Sequence, residues 1–223
     1  FSPALFAFLA ELAENNHRDF FHAQKARYEA DVRGPCLRFI ADFSGPLERI
    51  SPHFVADARK VGGSLFRIHR DTRFSKDKKP YKTASGIQFR HEAGRDAHAP
   101  GFYLHLEPGD VFIGAGMWHP DGDATRAVRT AIADHAEDWQ AVLDDDGMAG
   151  RWRLVGDSLA RAPAGFDAAH RHITDLKRKD FIAVLQLDEE AACAADFGER
   201  FAAECAAAAP LMAFLCRAVG VAW

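Results

Sequence analysis

The run from Gly101 to Met117 constrains the fold most. Two apolar segments, Gly101 to Leu106 and Val111 to Met117, flank Glu107-Pro108-Gly109-Asp110. Strand-forming residues on either side of a Pro-Gly turn predict an antiparallel hairpin. Gly114-Ala115-Gly116 either kinks the second strand or brings backbone close to something, and is read here as letting Trp118 turn into the core. Further strands are expected at Ile87–Phe89, Trp152–Val155 and Phe181–Leu187.

Helical spacing dominates outside this region. Ser2 and Pro3 open a first helix carrying Leu5, Phe8, Leu9 and Leu12. Asn16 and Asp19 resemble a capping box for a second, through Tyr28 and Val32. Gly34-Pro35 is expected to end it, and a third carries Leu37, Ile40 and Phe43 as far as Gly45-Pro46. Asp121 or Asp123 is expected to cap a long helix to Leu143. Ala168–Lys177 and Ala191–Val219 are also predicted helical, the latter bent at Pro210. Helices first, then strands, then mixed elements imply an α+β fold. One domain over 1–223 is expected, with N-terminal helices over 1–50 and a mixed core over 51–223.

The chemistry concentrates in one stretch. From Arg59 to Lys82 there are nine Lys and Arg against Asp71 and Asp77, a formal +7 in a chain whose total is −4, so the remainder carries −11. A positive island on an acidic protein points to a bound anion. A pI near 6.3 argues against general nucleic-acid coating. Cys36, Cys193, Cys205 and Cys216 show no C-x-x-C spacing, so reduced thiols in a cytoplasmic protein are expected. No apolar run is long enough for a membrane span.

Within the island, Leu65 to Phe74 alternates as a strand would. Phe66, Ile68, Thr72 and Phe74 share one face, and Arg67, His69, Asp71 and Arg73 the other. Side chains two apart would stand about 6.6 Å from each other. Asp71 could orient the arginines, leaving guanidinium donors for a phosphate, sulfate or carboxylate. Lys78, Lys79 and Lys82 follow on a loop stiffened by Pro80. Phe74 and Tyr81 could offer a flat ring to a base or sugar. Arg70 falls on the apolar face and is expected to pair with a buried acid.

The pattern R-x-x-R-D-x-R-F-x-x-D-K-x-x-Y, filled by Arg67, Arg70, Asp71, Arg73, Phe74, Asp77, Lys78 and Tyr81, resembles the signature of domain-of-unknown-function family twenty-four sixty-one. These are bacterial proteins of about this length, with fungal relatives. Asn15-Asn16 with Asp19 and Phe21, Pro100-Gly101-Phe102-Tyr103 and Gly114-x-Gly116-x-Trp118-x-Pro120 extend the resemblance over nearly the whole chain. It implies membership and no particular activity. It also supports Asn16 and Arg129 approaching the motif from neighbouring helices, with capping or surface roles as the alternative.

The site expected from these residues therefore comprises Arg67, Arg70, Arg73, Asp77, Lys78, Lys82, Asn16 and Arg129 as ligand contacts. His69, Asp71 and Tyr81 are the candidates for catalysis, with His69 or Tyr81 moving protons. The expected partner is a small phosphate- or carboxylate-bearing molecule, turned over or only bound. The alternatives are a non-catalytic module for nucleic acid or an acidic protein, and an Arg–Asp lattice that merely fixes the fold. The sequence specifies no cofactor. His91, His98, His105, His119 and His170-x-His172 form no compact metal-ligand motif and are read as surface or packing residues. No cysteine or G-x-S-x-G elbow offers a nucleophile.

Overall fold

The computed structural model describes residues 1–73, 75–94 and 99–223. Helix α1 (Pro3–Glu14) turns Leu5, Phe8, Leu9 and Leu12 inward as their spacing predicts, although the Ser2 hydroxyl makes no capping bond. Helix α2 (Arg18–Ala23) is capped by His17, whose Nδ1 accepts from the Phe20 amide at 3.3 Å. The predicted Asn16–Asp19 box is not formed, because Asn16 is engaged elsewhere. Helix α3 (Lys25–Arg27), a π-helical turn (Tyr28–Arg33) and α4 (Gly34–Ile50) then follow one another directly, through both Gly-Pro pairs expected to interrupt them. The wider π turn explains the first. It brings the Glu29 carbonyl within 2.8 Å of where a Cβ on Gly34 would stand. It also puts Pro35 in the first turn of α4, where the missing N–H costs little.

The sheet contains β1 (Ser85–Arg90), β2 (Gly101–Glu107), β3 (Asp110–Met117), β4 (Arg153–Val155) and β5 (Phe181–Leu187), in the order β1-β2-β3-β5-β4 with every pair antiparallel. The hairpin forms where predicted and closes with Glu107 opposite Asp110. The remaining helices are α5 (Gly122–Asp134), α6 (Ala136–Leu143), α7 (Ile173–Leu176), α8 (Glu189–Cys193), α9 (Phe197–Ala207) and α10 (Ala209–Ala218). Three expected helices are therefore shorter. Asp121 caps α5, which breaks at His135 before α6. Residues 168–172 are turns ahead of α7, and the last span divides into three.

Strand alternation sorts the sheet residues. Ile87, Phe89, Phe102, Leu104, Ile113, Ala115 and Ala183 are buried on one face. There α1 meets β2, and α8 and α10 meet β3. Phe43 of α4 and Phe201 of α9 pack on Phe89 at 4.7 and 5.9 Å. The other face stays half exposed. Its rows run Gly86–His105–Phe112–Gln186 and Gln88–Tyr103–Gly114–Val184.

The segment from Leu65 is extended without being a strand. Only isolated bridges occur, Leu65 with Ile87 and His69 with Tyr81, and Phe74 lies outside the described residues. Trp118 is 47% exposed rather than in the core. Gly116, at φ 136°, instead lets β3 press on β5, where a Cβ would stand 2.1 Å from the Phe181 carbonyl oxygen. No single helix among the described residues is long and apolar enough to cross a membrane.

Candidate functional site

Backbone bonds lash the signature segment to the sheet edge. The Phe66 amide donates to Gly86 O at 2.9 Å, and Ser64 O accepts from the Gln88 amide at 2.8 Å. Further on, the Arg70 amide donates to Pro80 O at 2.9 Å and the Lys82 amide to Ile68 O at 2.8 Å, folding the segment back on itself. Asn16 secures the fold-back. Its Nδ2 donates to Tyr81 O and its Oδ1 accepts from the Tyr81 amide, both at 3.0 Å. The Tyr81 ring, 2% exposed, stacks on Phe21 at 4.2 Å. Both polar atoms of the Asn16 side chain are thus engaged by backbone, and Tyr81 serves as an anchor between the helices and the loop.

Three cationic heads are engaged within the loop itself. Arg70 Nη1 meets Asp77 Oδ2 at 2.6 Å, and the acid is half exposed, not buried as expected. Arg73 Nη2 meets Asp71 Oδ2 at 2.6 Å. Hydrogen bonding from Arg73 holds the Asp71 carboxyl down to about 2. Arg70 likewise lowers Asp77. Lys78 Nζ donates to Thr72 O at 2.9 Å. His69 is exposed, 5.1 Å from the Tyr81 ring centre, and makes no side-chain hydrogen bond to Arg67 or Asp71. Arg129 lies apart from the motif, donating to Arg178 O at 2.8 Å.

Arg67, Lys76, Lys79 and Lys82 form no ion pair among the described residues. Lys82 is the unusual one. Half buried, its Nζ sits 5.0 Å from the centre of the Phe66 ring. Burial lowers its pKa, and the Arg67 charge lowers it further. Both effects destabilise an unpaired ammonium, so an incoming anion would relieve them.

Lys82 and Lys79 line a cavity of about 490 Å³ together with Arg70, Thr83, Tyr103, His105 and Glu107. A second cavity, about 380 Å³, lies on the half-exposed sheet face over Phe112, Trp118, Val155, Ile182 and Val184. Phe66, Tyr103 and His105 line both, so the two cavities adjoin along these three side chains. The larger depression bordered by α5, α6 and α10, about 700 Å³, includes no residue of the signature.

At the junction stands a chain of hydrogen bonds absent from the sequence expectations. Tyr103 Oη lies 3.0 Å from His105 Nδ1, and His105 Nε2 lies 3.2 Å from Glu107 Oε2. Thr83 Oγ1 donates to Glu107 Oε1 at 2.6 Å. A carboxylate only accepts, so in the neutral imidazole Nε2 carries the proton toward Glu107 and Nδ1 accepts from the tyrosine hydroxyl. Burial, followed by the Glu107 and Asp110 charges, pushes Tyr103 up to about 12, keeping the phenol neutral. A ring nitrogen of His105 and one carboxylate oxygen each from Glu107 and Asp110 also lie within 4.8 Å of one another. The signal for this group was present in β2: Tyr103, His105 and Glu107 recur at every second residue and so share a face.

An open-faced antiparallel sheet backed by helices, with an arginine-rich loop latched to its edge, defines the class of structure. The family model described as "Conserved hypothetical protein (DUF2461)" matches residues 4–214, and the chain belongs to that family. Comparison with curated proteins and with solved structures finds no match.

Proposed function

We propose that the two adjoining cavities act as one groove and bind a small amphipathic anion. Its carboxylate or phosphate lies at Lys82 and Lys79, and its apolar body over Phe66, Phe112, Ile182 and Val184. The observation that supports this is that a cationic and an apolar cavity adjoin at Phe66, Tyr103 and His105. An anion alone would need only the first, and a neutral apolar ligand only the second. The basic segment then divides its labour: the signature's Arg70, Arg73, Asp71, Asp77 and Lys78 brace the loop, with the Arg70–Asp77 pair at the cavity wall, while Lys79 and Lys82, outside the signature's fixed positions, face the guest. Arg67 strengthens the positive field without lining either cavity. Nucleic acid is less well served, because the paired arginines leave few free cations for a phosphate backbone.

A thermal-shift series of straight-chain carboxylates, from acetate to decanoate, tests the reading. Melting temperature should rise with chain length at fixed concentration, as added methylenes are buried. Lys82→Ala should weaken binding of the longer acids about 10-fold, roughly 1.4 kcal/mol. If no acid of any length stabilises the protein, or if Lys82→Ala leaves the series unchanged, the proposal fails.

A further inference from the structure

The groove contains more than binding requires. Tyr103, His105 and Glu107 reproduce the relation of a nucleophile to its base and of that base to an orienting carboxylate, at 3.0 and 3.2 Å. The Thr83 hydroxyl fixes the carboxylate from its far side. The arrangement lies on the sheet face that the helix layer leaves half exposed, where core packing does not demand it. Room has also been left for the hydroxyl. A Cβ on Gly86 would stand 2.5 Å from Tyr103 Oη and 3.0 Å from Phe66 Cδ2. Tyr103 and His105 each border both cavities, so a ligand spanning them passes the phenol.

We propose that Tyr103 is a nucleophile activated by His105, that Glu107 is the positioning residue for that histidine, and that the groove hydrolyses esters of an amphipathic anion. The ligand's location rests on the groove reading above; the nucleophile does not. In the first step the Oη–acyl bond forms as the ester C–O bond breaks. The phenolic proton passes to His105 Nδ1 and on to the departing alkoxide, releasing an alcohol. Water then attacks the tyrosyl ester, giving a proton to Nδ1. The carboxylic acid departs and the proton returns to the Tyr103 oxygen. Throughout, His105 Nε2–H stays on Glu107. An ester and a water are consumed, and an acid and an alcohol are released, with no oxidant or reductant.

Activated phenols can be trapped without knowing the substrate. The full chain, in EDTA, is treated with 4-(fluorosulfonyl)benzoate, an electrophile carrying a carboxylate, and with neutral phenylmethanesulfonyl fluoride. An Oη–S bond forms, fluoride leaves, and peptide mass spectrometry follows the chain's three tyrosines, Tyr28, Tyr81 and Tyr103. Tyr103 should react at least 10-fold faster than the other two with either probe. His105→Gln should slow it at least 10-fold. Glu107→Gln should slow it several-fold and Glu107→Asp should restore part of the loss, a recovery that a role in folding alone would not produce. Gly86→Ala, which displaces the hydroxyl while removing no ionisable group, should slow it as well. Lys82→Ala should raise the concentration of the benzoate needed for half-maximal labelling and leave the neutral probe unaffected. Should the benzoate gain nothing from Lys82 while the neutral probe still labels Tyr103 through His105, the groove reading fails and the nucleophile stands. Tyr103 unlabelled by both probes, labelled equally fast in His105→Gln, or labelled only when a metal is added back would overturn the proposal.

Discussion

At the scale of single residues, the basic segment separates into groups that hold the loop and groups that face outward. Asp71 and Arg73 illustrate the first. Their contact is short and bidentate, yet Arg73 is largely exposed and Asp71 nearly half so, and water therefore screens it and little stability follows. The depressed carboxyl means that whatever the pair contributes is complete above the ordinary aspartate range and disappears as pH falls through about 2. In Arg73→Ala the Asp71 titration midpoint, followed by carbon NMR, should climb back toward the normal range. The melting temperature at pH 7 should move little. A large fall in melting temperature would mean that the pair is worth far more than its exposure allows.

At the scale of elements, the hairpin and β5 were legible because period-two alternation and a Pro-Gly turn are local signals. Helix α1 was legible in its apolar face and in its start at Ser2-Pro3, whereas α4 was legible in its apolar face but not in its ends. Gly34-Pro35 reads as a breaker only if the preceding turn is α-helical; the π turn changes which carbonyls need partners. The loop from Leu65 alternates correctly, with Ile68 buried and Arg67 and His69 exposed, yet it pairs only through isolated bridges. Its path depends on Asn16, a partner 65 residues away that no local pattern reveals. The site was only partly legible for the same reason. Charge density located Lys82, whereas the Y-x-H-x-E run on β2 gained meaning only once the sheet was known to leave that face half exposed. Asn16→Ala tests the latch. Losing both bonds to the Tyr81 peptide should cost about 1–3 kcal/mol. Hydrogen exchange should accelerate in residues 64–84 while β2 and β3 stay protected. Uniform acceleration across the sheet would show that the loop and sheet unfold as one unit.

At the scale of the whole molecule, the sheet assigns its two faces to different tasks. Helices α1, α8 and α10 cover one face, and the aromatic cluster around Phe89 ties α4 and α9 to the same core. The groove occupies the other, where side chains remain partly in water and contribute less to folding. Adjacent residues of β3 therefore make a controlled comparison, since Phe112 and Ile113 differ by one position and by a face. Ile113 is fully buried, and its truncation to alanine removes buried methylenes and leaves a cavity, costing about 2–5 kcal/mol. Phe112 stacks on His105 at 4.6 Å but stays partly in water, so Phe112→Ala should cost less, about 1–2 kcal/mol. Urea unfolding measures both. If the groove holds the apolar body of a ligand, Phe112→Ala should also flatten the rise in melting temperature along the carboxylate series while leaving the response to the shortest acids unchanged. Ile113→Ala should lower every melting temperature by a constant amount and preserve the slope. A slope that follows stability rather than the face of the sheet would place the ligand elsewhere.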